Sequence, residues 1–200
     1  MATRPTPHEL RLRRALVLGI GNILWADEGF GVRAVEAFHR DHAMPEGVAI
    51  MDGGTQGLYL VNYLDGIDDL LVFDAIDYGL EPGTLKLVHG QEVPKFTGAK
   101  KMSLHQTGFQ EVLSAAELMG FCPARLALVG CQPQDLEDWG GPLTEPVAAQ
   151  IQPAIDAAVS ILGDWGYAIR RRETPLAGGE ALLSNGIDRA GYEAIQTPCQ

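Results

Sequence analysis

The run Arg14–Gly31, RALVLGIGNILWADEGFG, decides the fold class. Its first part, Ala15–Ile20, is almost wholly apolar, the pattern of a strand buried on both faces. Gly19-Ile20-Gly21-Asn22 then opens a loop, and Asp27-Glu28-Gly29 stands where a helix begins, with acids in the first turn suiting the helix dipole. Beyond it Phe30, Val32, Ala34, Val35, Ala37 and Phe38 mix helical spacing with polar positions. A helix is therefore expected from Asp27 to about His42, stopped by Met44-Pro45-Glu46-Gly47.

Two later segments repeat the apolar strand that ends in an acid: Val48–Gly54 (VAIMDGG) and Leu70–Ile76 (LLVFDAI). Between them Thr55 is a candidate N-cap for a short helix through Leu64. Turn residues from Asp77 to Gly83 lead into Thr84–Val88, read as an antiparallel edge strand. Gln91–Met102 reads as a surface loop, Phe109–Met119 as a helix, and Arg125–Gly130 as the last strand. A final helix is expected from Leu143 to Leu162, kinked at Pro153. This alternation predicts an α/β fold with a twisted, mostly parallel sheet of about five strands, sandwiched by helices on both faces. Residues 1–13 read as a flexible lead-in, 14–163 as a single domain, and 164–200 as a mobile tail with little packed structure. Ligands of such sheets lie beyond the carboxyl ends of the strands, which brings Glu28, Asp52 and Asp74 to one rim.

Two hundred residues, 46% hydrophobic and 20% charged, describe an ordinary globular chain. The formal net charge of −11 argues against nucleic acid or an anionic membrane as partner, since both call for basic patches. Three cysteines, Cys122, Cys131 and Cys199, lack CxxC spacing, so neither a disulfide framework nor a zinc knuckle is expected, and a cytoplasmic setting follows. The apolar run after Arg11, Arg13 and Arg14 is too short and too glycine-broken for a signal peptide or a membrane span.

Gly19-Ile20-Gly21 after a strand invites a dinucleotide reading, but Leu24 stands where the third glycine belongs, and two acids at the helix start would repel a pyrophosphate. Glu28 alone could serve only the helix dipole, and Asp52 could simply cap its own glycine turn. Asp74 is harder to explain structurally, because a carboxylate inside an apolar strand needs a partner or a place at the rim. His105, flanked by Ser103 and Gln106, is by itself an ordinary surface residue or cap. Together Glu28, Asp74 and His105 offer two carboxylates and one imidazole, a set that suits a borderline divalent metal such as nickel or zinc. His39, His42 and His89 fall away from that rim, and neither Cys122 nor Cys131 has an obvious base beside it.

With these residues laid out, the chain resembles the hydrogenase maturation protease family. The resemblance rests on Gly19–Glu36 (GIGNILWADEGFGVRAVE), Met51–Gly57 (MDGGTQG), Val72–Asp77 (VFDAID), Met102–Leu113 (MSLHQTGFQEVL) and Leu128–Pro133 (LVGCQP), in family order. The wording around Leu104-His105-Gln106-Thr107-Gly108 is most similar to the branch serving uptake hydrogenases. The resemblance implies an endopeptidase that trims the C-terminal extension of the [NiFe] hydrogenase large-subunit precursor, working as a monomer in the cytoplasm. It also implies that Glu28, Asp74 and His105 are the metal-binding and catalytic residues, and that Asp52, Gly53 and Gly54 form a substrate-recognition loop. By the same resemblance the metal is expected to be nickel, that of the precursor itself, with zinc or cadmium able to substitute in vitro.

Two mechanisms follow as expectations. Metal contact could position the scissile peptide, with a carboxylate as base. Alternatively, Asp52 or Asp74 could act without metal as in an aspartic protease, which needs two carboxyls in contact. A competing class is a non-cleaving nickel-binding checkpoint or metallochaperone for the same precursor. A third is a small-molecule hydrolase or nucleotide-binding protein built on the same type of sheet.

Overall fold

Strand β1 (Ala15–Ile20) is buried along its whole length, because helices cover both of its faces and parallel strands flank it on both sides. The computed structural model describes residues 12–93, 104–177, 181–184 and 186–196, with the side chains of 104–108 and 195–196 left aside. After β1 come β2 (His42–Ala43), β3 (Val48–Gly54), β4 (Asp69–Ala75), β5 (Leu85–His89), β6 (Arg125–Cys131) and β7 (Arg170–Arg171). The main sheet has the order β3-β1-β4-β6-β5, with β5 antiparallel to β6 at one edge and the other pairings parallel. The expected sheet of about five strands and its antiparallel edge are both present.

Helices α1 (Phe30–Asp41) and α4 (Ile151–Asp164) cover one face of the sheet, where they meet Val17, Leu71, Phe73 and Val129. The helical turns of Gly57–Tyr63 and helix α2 (Leu104–Met119) cover the other, against Leu18, Leu70, Val72 and Leu128. Alternation along β4 therefore puts Phe73 on the α1 face and Asp74 on the α2 face.

Several local expectations give way. The helix expected from Asp27 opens with a tight turn, Ala26–Gly29, before α1 proper. The segment after Thr55 forms 3-10 turns without a side-chain cap, since Gln56 takes the capping position. The single helix expected from Leu143 is divided into α3 (Glu145–Ala148) and α4. The break falls at Ala149-Gln150, and Pro153 thus lies in the first turn of α4, where no intrahelical amide is needed. Residues 94–102 of the expected surface loop lie outside the described residues.

Beyond Gly163, where little packed structure was expected, the described residues are held against α1. Strand β7 pairs with β2, and the amides of Arg172 and Leu176 donate to the carbonyls of Asp41 and Arg40. Further on, Arg33 Nη1 donates to the Ile187 carbonyl at 2.7 Å, and the Arg189 amide donates to Glu36 at 2.7 Å as helix α5 (Arg189–Gln196) begins. Most of these contacts use backbone groups, which carry no hydrophobic period for a sequence reading to detect.

At the amino end of β4 a second network ties the domain together. The fully buried Asp69 carboxylate accepts both guanidinium arms of Arg13, both of Arg125, and the Tyr167 hydroxyl at 2.6 Å. Burial alone would raise its pKa, but the hydrogen bonds of Arg125, Arg13 and Tyr167 outweigh that and leave it at about 2. A carboxyl depressed this way stabilises the fold above its unfolded pKa, and that stability disappears as pH falls toward 2. The loss of Asp69 should therefore cost about 2–3 kcal/mol at neutral pH. Urea unfolding of Asp69→Asn against wild type should show that gap at pH 7 and its narrowing between pH 5 and pH 3. A gap independent of pH would show that the carboxylate charge is not what stabilises this end.

Candidate active site

The rim is assembled where β1 turns into α1. At Gly21 the backbone takes φ +139°, and a Cβ there would collide with the carbonyl oxygen of Glu28. That same carbonyl accepts the Asn22 amide at 3.1 Å, while the Glu28 amide donates to Trp25 at 2.8 Å. The loop therefore folds back on itself and delivers Glu28 at the entrance to α1, half-buried. Burial pushes its carboxyl up to about 7.

Asp27, the neighbouring acid, has a different task. It is fully buried, and its oxygens accept the amides of Gln134, Asp135 and Thr144 at 2.7–2.9 Å together with the Thr144 hydroxyl. Asp27 thereby locks the loop after β6 to the turn that carries Glu28. The edge-on contact of Trp25 with Trp139 closes the same seam. Sequence reading weighed Asp27 only as a dipole partner, because nothing local shows that three distant amides converge on it.

Asp74, next to last in β4, is the unsatisfied group of this rim. It is 1% exposed, and among the described residues no side chain donates a hydrogen bond to either carboxylate oxygen. Desolvation drives its pKa well upward, the neighbouring Ala75 amide offsets this only in part, and the charge of Glu28 pushes it further. Burial opposes the ionisation of both carboxyls, and the charge of Glu28 opposes that of Asp74 further, so a proton or a cation is favoured there.

Asp52 lies on the same rim but on the other face of the sheet. Gly19 of β1 pairs with Asp52 on one side and with Phe73 on the other, so Asp52 faces α1 whereas Asp74 faces α2. With β1 between their strands, their Cα atoms are about 10 Å apart. That separation rules out the two-carboxyl contact that an aspartic dyad of Asp52 and Asp74 would need. Asp52 Oδ1 accepts the Gly54 amide at 2.8 Å, so the turn-capping role is present. Burial raises the Asp52 pKa, with the Gly54 amide and Arg33 pulling the other way. Gly54 sits at φ +45°, and Gly53 packs on the side chain of Leu18.

His105 is in the first turn of α2, which covers the Asp74 face, but its side chain lies outside the described residues. Glu28 and Asp74 are thus brought together, and His105 is followed only as far as its helix. Among the described residues no cluster of three or more His, Cys, Asp or Glu forms a metal cage. Cys131 is buried, and its thiol is pushed up to about 12, by burial first and by Asp27 second, so it offers no thiolate nucleophile.

Comparison with known proteins gives this rim a context. The family description "Hydrogenase maturation protease" matches residues 32–161. The chain belongs to the hydrogenase maturation protease family. It is 71% identical over 180 residues to the hydrogenase expression/formation protein HupD of Bradyrhizobium diazoefficiens, covering 90% of this chain and 94% of that one. It is 43% identical over 162 residues to the Escherichia coli hydrogenase 2 maturation protease, covering 80% and 97%. In three dimensions it matches the hydrogenase maturating endopeptidase HybD from E. coli with a TM-score of 0.75 and 41% identity, again covering 80% of this chain and 98% of that one. Membership makes the chain a peptidase, a hydrolase rather than a nucleotide-binding protein.

The raised carboxyls make a prediction that needs no substrate. A group whose folded pKa lies above its unfolded value favours the fold at low pH, and that contribution is lost as pH rises through the folded pKa. Glu28→Gln and Asp74→Asn should each raise Tm at pH 8 and leave it nearly unchanged at pH 4.5, read by calorimetry on chelator-treated protein. Equal shifts at both pH values would mean that burial does not oppose these charges.

Proposed function

We propose that this peptidase removes the C-terminal extension of a nickel-carrying [NiFe] hydrogenase large-subunit precursor, with the nickel arriving as part of the substrate. The observation that carries this reading is Asp74, buried beside Glu28 and given no side-chain donor by the described residues. Unpaired buried carboxyls cost stability, and a cation is the ligand that would repay it. Glu28 and Asp74 supply oxygen donors, and His105, carried by the helix on the same face, would add a nitrogen. That set fits a borderline divalent ion such as nickel, and zinc or cadmium could take its place in vitro.

In this reading Glu28 and Asp74 bind the substrate's metal and hold the scissile peptide beside them by proximity. A metal so bound polarises a carbonyl or a water. Glu28, the more exposed of the two carboxylates, is the better placed general base. Asp52, Gly53 and Gly54 present backbone and carboxylate at the next strand end, where they would contact the peptide of the precursor. The uptake-hydrogenase branch is supported by the identity to HupD, and the cytoplasmic setting by cysteine usage.

Intact mass of the precursor, loaded with nickel or nickel-free, tests this directly. Wild type should remove a C-terminal peptide from the loaded form alone. Glu28→Gln, Asp74→Asn and His105→Ala should each slow cleavage at least about 100-fold while remaining folded. Equal cleavage of both precursors would discard nickel recognition. A stable complex without any mass change would favour a non-cleaving checkpoint.

A further inference from the structure

The face of the sheet that carries Asp74 holds a row not yet used. Gly130 of β6 is in register with Asp74 of β4 on one side and with Lys86 of β5 on the other. In-register neighbours point to the same face, about 4.8 Å apart from strand to strand. Between Asp74 and Lys86 the sheet therefore has a gap where Gly130 lacks a side chain. A glycine inside a strand weakens it, and often marks the close approach of another group. Here the group is Tyr78. A Cβ built on Gly130 would collide with the Tyr78 hydroxyl oxygen and stand 3.1 Å from Cζ, which bears it, and from Cε2. On the far side Lys86 Nζ lies 4.9 Å from the centre of the same ring.

Tyr78 is placed there by backbone hydrogen bonds. Gln132, 5% exposed at the end of β6, accepts the amides of Tyr78 at 2.7 Å and Leu80 at 3.1 Å through Oε1. Its Nε2 donates to Asp77 Oδ1 at 3.0 Å, and that oxygen also accepts the Gly79 amide. The Ile76 amide donates to the Cys131 carbonyl at 2.9 Å. The loop after β4 is thus pinned to the end of β6, and the phenol has one place to go.

We propose that Tyr78 is a positioning residue for Asp74: its hydroxyl, lodged in the gap at Gly130, donates to one Asp74 oxygen when substrate is engaged and leaves the other free to act. Burial and the charge of Asp74 both oppose ionisation of the phenol, so the hydroxyl stays a donor at working pH. Among the described residues no side chain donates a hydrogen bond to the Asp74 carboxylate. Contacts of this kind commonly tighten only in the reactive complex. Phe would keep the ring in place and leave only the oxygen-sized gap at Gly130 empty. The proposal rests on the assignment of Asp74 to the reaction.

Tyr78→Phe separates the two roles. Steady-state cleavage of the nickel-loaded precursor should show kcat reduced about 10–100-fold, with KM and Tm unchanged. Gly130→Ala should lower both kcat and Tm by displacing the phenol. The double variant Tyr78→Phe/Gly130→Ala should regain most of the Tm while its kcat stays at the Tyr78→Phe level. Wild-type kcat in Tyr78→Phe, with Asp74→Asn inactive in the same assay, would overturn the proposal and leave the active-site reading intact. Normal cleavage by Asp74→Asn would overturn both.

Discussion

Helix α1 rests directly on the strand ends, and this backbone contact sets the geometry of everything above it. A Cβ at Gly31 would collide with the carbonyl oxygens of Ile20 and Phe73, and one at Gly19 would collide with the Gly31 carbonyl. With both positions bare, the first turn of α1 reaches down between β1 and β4. The preceding turn is drawn in with it, so Glu28 ends within electrostatic reach of Asp74. Side chains at either glycine would lift α1 away and separate the two carboxyls.

Strand β4 then treats its two buried acids in opposite ways. Asp69, at the amino end, is satisfied by two guanidinium groups and a phenol, and its pKa falls to about 2. Asp74, at the carboxyl end, is buried without a partner, and its pKa rises. The first arrangement stabilises the fold at neutral pH and the second opposes it. Such a division between a satisfied end and a strained end is expected where one end performs chemistry. The proposed site lies at the end where charge is still wanting a counter-charge.

Two buried polar side chains hold the rim loops in place. Asp27 collects amides from the loop after β6, and Gln132 collects amides from the loop after β4. Each converts a segment without hydrophobic pattern into a fixed wall. The chain after Gly163 works similarly on the outer face of α1, where amides and guanidinium groups meet backbone carbonyls and Glu36.

The apolar runs by themselves determined the strand-helix alternation, the mostly parallel sheet and the rim position of Glu28, Asp52 and Asp74, because hydrophobic periodicity and the strand-end rule are local properties. Family membership was equally legible from Gly19–Glu36, Val72–Asp77 and the other motifs. Tertiary structure decided which acids meet. It put Asp52 and Asp74 on opposite faces of the sheet, gave Asp27 a clamp rather than a dipole role, and satisfied Asp69 while leaving Asp74 bare. Those outcomes depend on strand register and on amides more than a hundred positions away, as with Thr144 on Asp27 at |i−j| of 117. No window of sequence contains such pairs, so burial and partnership, which set the chemistry of a carboxyl, emerge only when the strands are laid side by side.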